Sequence, residues 1–145
     1  MSPTRYYHGG TDALRVGDIL APGHGRKHHP GCPWCEARAQ GEAHQGMDGP
    51  SQQDGVYLTE HRLYAKHYAS LFGYGSLYRV EPLGDVMVST EDSIPTVIAP
   101  AARVVAVLDR AVRLTNTERR RLFREWGAAD QARAADTAHH EGSAA

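Results

Sequence analysis

The chain of 145 residues has little cysteine and no long apolar run. Cys32 and Cys35 are its only two cysteines, so a framework of several disulfides is excluded. No stretch reaches the ~18 consecutive apolar residues that a membrane-spanning helix needs, and the first residues lack the apolar centre of a signal peptide. We therefore expect a cytoplasmic protein that does not contact a membrane.

The chain also lacks an excess of either charge and the common nucleotide-binding motifs. Its formal net charge is −1, which gives no bulk attraction to nucleic acid, although a local contact is not excluded. Neither G-x-G-x-x-G nor G-x-x-x-x-G-K-[ST] occurs, and this argues against a dehydrogenase. A chain of this length favours one domain, and its 15 Gly and 8 Pro favour many turns.

Short β-prone runs separated by turns alternate with two helical patterns, which predicts the α+β class. The predicted strands are Thr4–His8, Gly55–Leu58, Ser76–Val80, Asp85–Val88, Thr96–Ala99 and Arg103–Leu108. We predict one helix over Glu60–Phe72 with Thr59 as its N-cap, and another that runs to Trp126 after a cap at Thr115 or Thr117. The single domain would span residues 1–126, with a flexible tail over 127–145.

Three polar or aromatic features could carry chemistry. His8 ends the first strand beside Gly9 and Gly10, where backbone groups are accessible to a ligand. Tyr57 ends a later strand, and Tyr68 follows eleven positions on, so that two rings could form a slot for a flat heterocycle. Three acidic residues, Asp85, Glu91 and Asp92, follow the strand predicted over Ser76–Val80. Taken singly, each feature is more often structural than functional.

In this order, the features resemble the ADP-ribosyltransferase superfamily, in which a histidine, a tyrosine and an acidic residue come from successive strands. The greatest similarity is to the small bacterial rifamycin ADP-ribosyltransferases, and it covers roughly residues 5–108 except most of 24–54. The spacing of the tyrosine pair also resembles that of diphtheria toxin and the poly(ADP-ribose) polymerases. The resemblance is carried by Tyr6-Tyr7-His8-Gly9, residues 16–23, Val56-Tyr57-Leu58-Thr59, residues 80–84 and residues 100–105.

The resemblance implies two short, mostly antiparallel sheets with a NAD cleft between them and flanking helices. It implies a NAD-dependent mono-ADP-ribosyltransferase, a glycosyltransferase that releases nicotinamide. The acceptor of the ADP-ribose is left open among a protein, a nucleic acid and a small molecule such as a rifamycin. The alternatives are NAD hydrolysis and a zinc-stapled module that binds a nucleotide or a protein without catalysis.

The resemblance also implies a role for each matching residue. His8 would bind a ribose hydroxyl, the Gly9 backbone would hold the nicotinamide carboxamide, and Tyr57 and Tyr68 would enclose the nicotinamide ring. A carboxylate would stabilise the positive charge that develops on the ribose when the glycosidic bond breaks. For this acid Asp92 is the first choice, Glu91 the second and Asp85 the third.

The segment 24–54 is rich in Gly, His and Pro and has almost no aliphatic residue with which to build a core. Cys32 and Cys35 form a C-x-x-C pair preceded by His28 and His29, and these four residues are a possible zinc site. His24 and His44 are alternative ligands. A redox pair, a disulfide or two free thiols are the other interpretations.

Overall fold

Seven strands and two helices make up the part of the chain that the computed structural model describes, which is residues 4–10, 12–21, 55–71 and 75–143. The elements are β1 (Tyr6–Gly10), β2 (Ile19–Leu20), β3 (Val56–Thr59), α1 (Arg62–Ser70), β4 (Ser76–Leu83), β5 (Met87–Val88), β6 (Thr96–Ala99), β7 (Ala101–Asp109) and α2 (Asn116–Ser143). This arrangement confirms the α+β class.

The strands form one sheet in the order β2-β7-β4-β1-β3-β6-β5, and every neighbouring pair is antiparallel. The prediction of two separate sheets is therefore wrong, because the described strands belong to one continuous sheet. All five residues of β1 align with β4, but only Tyr7 aligns with β3, at Thr59. The two halves of the sheet are joined at this one residue pair, and no further pair of described residues joins β1 to β3. The unpaired stretch beside it is called the opening between β1 and β3.

Apolar side chains bury both faces of the sheet, and they fall into three clusters. The first lies on one face, and α1 covers part of the other face over Ala65, Ala69 and Leu77. A third cluster fills the space between α1 and α2 around Tyr64, Ile94 and Leu122. The first cluster consists of Leu20, Val56, Leu58, Tyr78, Val80, Ala99, Ala102 and Val104.

Gly9 allows the backbone of α1 to lie directly against β1. A Cβ atom at Gly9 would lie 1.8 Å from the carbonyl oxygen of Ala65 and 2.6 Å from the amide nitrogen of Ala69. The sequence predicted that the two glycines would break the strand after His8, but β1 continues through Gly10. Gly9 therefore serves close packing of helix on strand rather than a chain reversal.

The two helices begin with different capping groups. His61 caps α1, because its Nδ1 accepts a hydrogen bond from the amide of Tyr64 at 3.0 Å. The prediction of Thr59 as this cap is wrong, since its hydroxyl instead accepts from the amide of His61. Before α2, Thr115 and Glu118 each accept a hydrogen bond from the other's amide, as in a capping box. This confirms the cap predicted at Thr115.

Helix α2 continues to Ser143, well past Gly127, where the sequence predicted a flexible tail. The segment is rich in alanine, which has the highest helix propensity of any residue. Its Arg133 also reaches the loop between β5 and β6, so the extension is in contact with the body of the protein. Neither described helix has the combination of length and apolarity that a bilayer crossing requires.

Candidate functional site

The side chain of His8 bridges the opening between β1 and β3. Its Nδ1 lies 2.9 Å from the backbone carbonyl oxygen of Tyr57. A carbonyl oxygen only accepts, so Nδ1 carries the proton and donates it to Tyr57. The predicted site residue His8 is thus hydrogen-bonded to β3, the strand that carries the predicted site residue Tyr57.

His8 is a neutral imidazole with one nitrogen left as an acceptor. Burial lowers the pKa of His8 below its usual value of 6.5, and this outweighs the hydrogen bond to Tyr57, which acts in the opposite direction. The acceptor is Nε2, which lies beside Gly10, where a Cβ would come within 2.7 Å of it. Glycine at position 10 therefore keeps a side chain from crowding this nitrogen.

The hydroxyl of Tyr57 donates a hydrogen bond to Oε1 of Glu91 at 2.5 Å. Tyr57 is partly buried in β3, whereas Glu91 is exposed in the loop between β5 and β6. The carboxylate is therefore tied to the tyrosine and is still open to solvent. This contact joins the predicted tyrosine to one of the two adjacent acids.

The second acid, Asp92, belongs to a partly buried polar network that joins its loop to α1. The hydroxyl of Tyr64 donates to its Oδ1 at 2.5 Å, and the hydroxyl of Ser89 donates to its Oδ2 at 2.6 Å. Tyr64 is only 2% exposed. Burial, followed by the hydrogen bond to Asp92, raises the pKa of Tyr64 well above its usual value, so that its hydroxyl remains a donor.

Tyr68 joins the same network from the next turn of α1. Its hydroxyl lies 3.0 Å from that of Tyr64, and the two rings meet edge to face with centroids 5.1 Å apart. Burial raises the pKa of Tyr68, and the negative charges of Asp92 and Glu91 add to this effect. Tyr57 on β3 and Tyr68 on α1 thus approach the same pair of acids.

The three candidate acids differ in their exposure and in their hydrogen bonds. Both oxygens of Asp92 accept hydrogen bonds from buried or partly buried hydroxyls, while Glu91 is exposed. Asp85 is exposed in the turn after β4, and no hydrogen bond within the described part of the chain joins it to either tyrosine. The geometry therefore favours Glu91 as a group that meets a ligand, and Asp92 as a group that orders the loop.

Gly9 has a clear structural reason to be glycine, which is the approach of α1 described above. Within the sheet, Gly9 pairs with Leu77 of β4, so the edge of β1 that faces β4 is occupied. Its other edge faces the opening beyond the Tyr7–Thr59 pair. The predicted backbone contact with a carboxamide stays a prediction.

The predicted zinc ligands Cys32, Cys35, His28 and His29 lie outside the described residues, as do His24 and His44. Within the described ranges, no group of three or more His, Cys, Asp or Glu side chains is placed to hold a metal ion. The zinc site stays a prediction.

Three residues of this site were not identified as functional from the sequence. Tyr64 was predicted only as part of the helix over Glu60–Phe72, although its spacing of four residues from Tyr68 places both on one helix face. Ser89 and Arg133 gave no signal in the sequence. Ser89 contacts Asp92 within one short loop, and Arg133 contacts that loop from α2, far along the chain. We compared the chain with protein-family models and with curated protein sequences, and neither comparison gave a match.

Proposed function

We propose that this protein is a NAD-dependent mono-ADP-ribosyltransferase, with its site at the opening between β1 and β3. The supporting observation is that residues spread from position 8 to position 92 form one continuous set of contacts. His8 contacts Tyr57, and Tyr57 contacts Glu91. The adjacent Asp92 contacts Tyr64, which contacts Tyr68. The antiparallel α+β architecture is compatible with this class of enzyme.

The neutral imidazole suits the binding of a ribose. Nε2 of His8 would accept a hydrogen bond from a ribose hydroxyl, while Nδ1 remains engaged with the carbonyl of Tyr57. Because Nδ1 is fixed in this way, the ring cannot rotate without losing a hydrogen bond. The sugar would therefore be held in a defined orientation relative to β3.

The tyrosines and Glu91 suit the bond-breaking step. The rings of Tyr57 and Tyr68 would hold the nicotinamide while the bond between ribose C1′ and the pyridinium nitrogen breaks. The bonding electron pair goes to that nitrogen, and the leaving group becomes neutral nicotinamide. The ribose acquires oxocarbenium character, which the Glu91 carboxylate would stabilise by its negative charge. The nucleophile of the acceptor then bonds to C1′ and gives up its proton.

We assign the acidic role to Glu91, in place of the Asp92 that the sequence placed first. A carboxylate with both oxygens engaged by Ser89 and Tyr64 has less freedom to meet a substrate than one that is open to solvent. Solvent also reaches Glu91, which favours NAD hydrolysis as the second candidate function. A protein, a nucleic acid and a small molecule such as a rifamycin remain the proposed classes of acceptor.

The test is nicotinamide release from NAD, measured by chromatography. We expect release by the unsubstituted protein and a loss of more than tenfold in His8→Ala and in Glu91→Gln, where a tenfold loss corresponds to about 1.4 kcal/mol of transition-state stabilisation. Tyr7→Phe is a matched control on β1, since its ring packs against the cluster of Ala65, Ala69 and Leu77 and the proposal gives its hydroxyl no role. Glu125→Gln is the matched control for Glu91→Gln, because Glu125 contacts His61 and Arg121 instead of Tyr57.

The products separate the remaining candidates. Mass spectrometry after incubation with NAD and a cell lysate, and with NAD and a rifamycin, would find ADP-ribose attached to an acceptor if the protein is a transferase. Free ADP-ribose alone would indicate a hydrolase. An absence of nicotinamide release in every mixture would contradict the proposal and favour a binding module.

A further inference from the structure

The loop from Ser89 to Asp92 carries the proposed acid and is held on its inner side by β6 and α1. The amide of Ser89 donates to the carbonyl of Thr96 at 2.9 Å. Asp92 is fixed by the hydroxyl of Tyr64. Between these two points, the amide of Glu91 donates a long hydrogen bond of 3.3 Å to the Ser89 hydroxyl.

The outer side of this loop is held by α2. The guanidinium of Arg133 donates through one nitrogen to the carbonyl of Thr90 and through the other to the carbonyl of Glu91, the latter at 3.3 Å. The two carbonyls belong to consecutive residues, so one planar group fixes the direction of the peptide that carries Glu91. A planar guanidinium with several N–H donors is suited to such a double contact.

We propose that Arg133 is a positioning residue for Glu91. This inference rests on the proposed function, and it assigns a role to a segment in which the sequence predicted only a flexible tail. Arg133 does not touch the reacting atoms. It acts on the main chain of Thr90 and Glu91, and through that main chain it keeps the Glu91 carboxylate beside the hydroxyl of Tyr57.

Lysine at this position would retain the charge but lose the planar fork. One ammonium group can still meet one of the two carbonyls, so Arg133→Lys should keep part of the effect. Arg124 is the matched control, because it is an exposed arginine on the same helix and no hydrogen bond within the described part of the chain joins it to the loop.

The test combines two measurements on the full chain. The first is amide hydrogen exchange of residues 89–92 by NMR, without any nucleotide. The second is steady-state nicotinamide release from NAD. For Arg133→Ala we expect the Glu91 amide to exchange at least several-fold faster, and kcat to fall about tenfold with KM changed less than twofold. Arg133→Lys should lie between this variant and the unsubstituted protein, and Arg124→Ala should match the latter.

The outcomes separate this inference from the proposed function. Faster exchange with a lower kcat supports the positioning role. Unchanged exchange in Arg133→Ala, or faster exchange with unchanged kcat, overturns it while the proposed function stands. A rise in KM equal to the loss in kcat/KM also overturns it, because that would indicate a role in binding substrate. If the unsubstituted protein releases no nicotinamide, the proposed function fails and the positioning role fails with it.

Discussion

Replacing Gly9 by alanine tests the packing of α1 on β1, on which the whole site depends. The new Cβ would lie 1.8 Å from the carbonyl oxygen of Ala65, whereas ordinary contact begins at 3.4 Å. Strand and helix would have to move apart by about 1.6 Å. Both sides of this contact are backbone atoms within regular elements, so no side-chain rotation relieves the clash.

The expected cost follows from this geometry. Overpacking of a protein interior costs about 1–3 kcal/mol and occasionally more, and a backbone-to-backbone clash belongs at the upper end of this range. We therefore expect Gly9→Ala to lower the free energy of unfolding by about 3 kcal/mol, which is a large part of the roughly 5–15 kcal/mol of a typical domain. For a chain of about this length, 1 kcal/mol shifts the Tm by about 2–4 °C, so the Tm should fall by at least about 6 °C.

The assay is thermal unfolding followed by circular dichroism, with Gly127→Ala as the control. Gly127 lies within α2, and a Cβ there would meet no atom within 4 Å. Alanine in a helix is more stable than glycine by roughly 0.5–1 kcal/mol, so this variant should unfold at an equal or higher temperature. A Tm for Gly9→Ala within about 2 °C of the unsubstituted protein would refute the close packing of α1 on β1.

Three further predictions concern the cap, the network and the histidine. Thr115→Ala should lower the free energy of unfolding by about 1 kcal/mol in urea titrations, and no change would contradict the cap. Tyr64→Phe should cost about 1–3 kcal/mol in the same assay, because Asp92 loses a buried donor; a neutral effect would contradict the network. The NMR titration midpoint of His8 should lie below 6.5. As the pH falls, this histidine is protonated in the unfolded chain before it is protonated in the folded chain. The stability that His8 contributes is therefore complete above pH 6.5 and is lost as the pH falls from there to the folded pKa. A midpoint at or above 6.5 would contradict the burial of His8.

The positions of most strands, although not their order in the sheet, could be predicted because the local signals were strong. The runs at Val56–Thr59 and Thr96–Ala99 combine β-branched residues with flanking turn residues, and the structure pairs them as β3 and β6. The strand predicted over Ser76–Val80 was expected to end before Pro82, but β4 continues to Leu83 and pairs with β7. A proline is tolerated where the strand does not need its N–H, which the sequence alone does not reveal.

The composition of the site could be predicted better than its geometry. His8, Tyr57 and the acidic pair were proposed from their order along the chain, and the structure brings them into one set of contacts. The sequence ranked Asp92 before Glu91, but it could not show which of the two side chains is enclosed. Adjacent residues differ in direction, and only the position of Tyr64 distinguishes them. The role of Arg133 depends on where α2 crosses the loop, and no local pattern carries that information.

The structure of a crystal soaked with a non-cleavable NAD analogue is the most direct test of the central claim. The account predicts the nicotinamide between the rings of Tyr57 and Tyr68, a ribose hydroxyl within hydrogen-bond distance of Nε2 of His8, and the carboxylate of Glu91 near the ribose C1′. A dinucleotide bound on another face, with the opening between β1 and β3 occupied only by solvent, would contradict it.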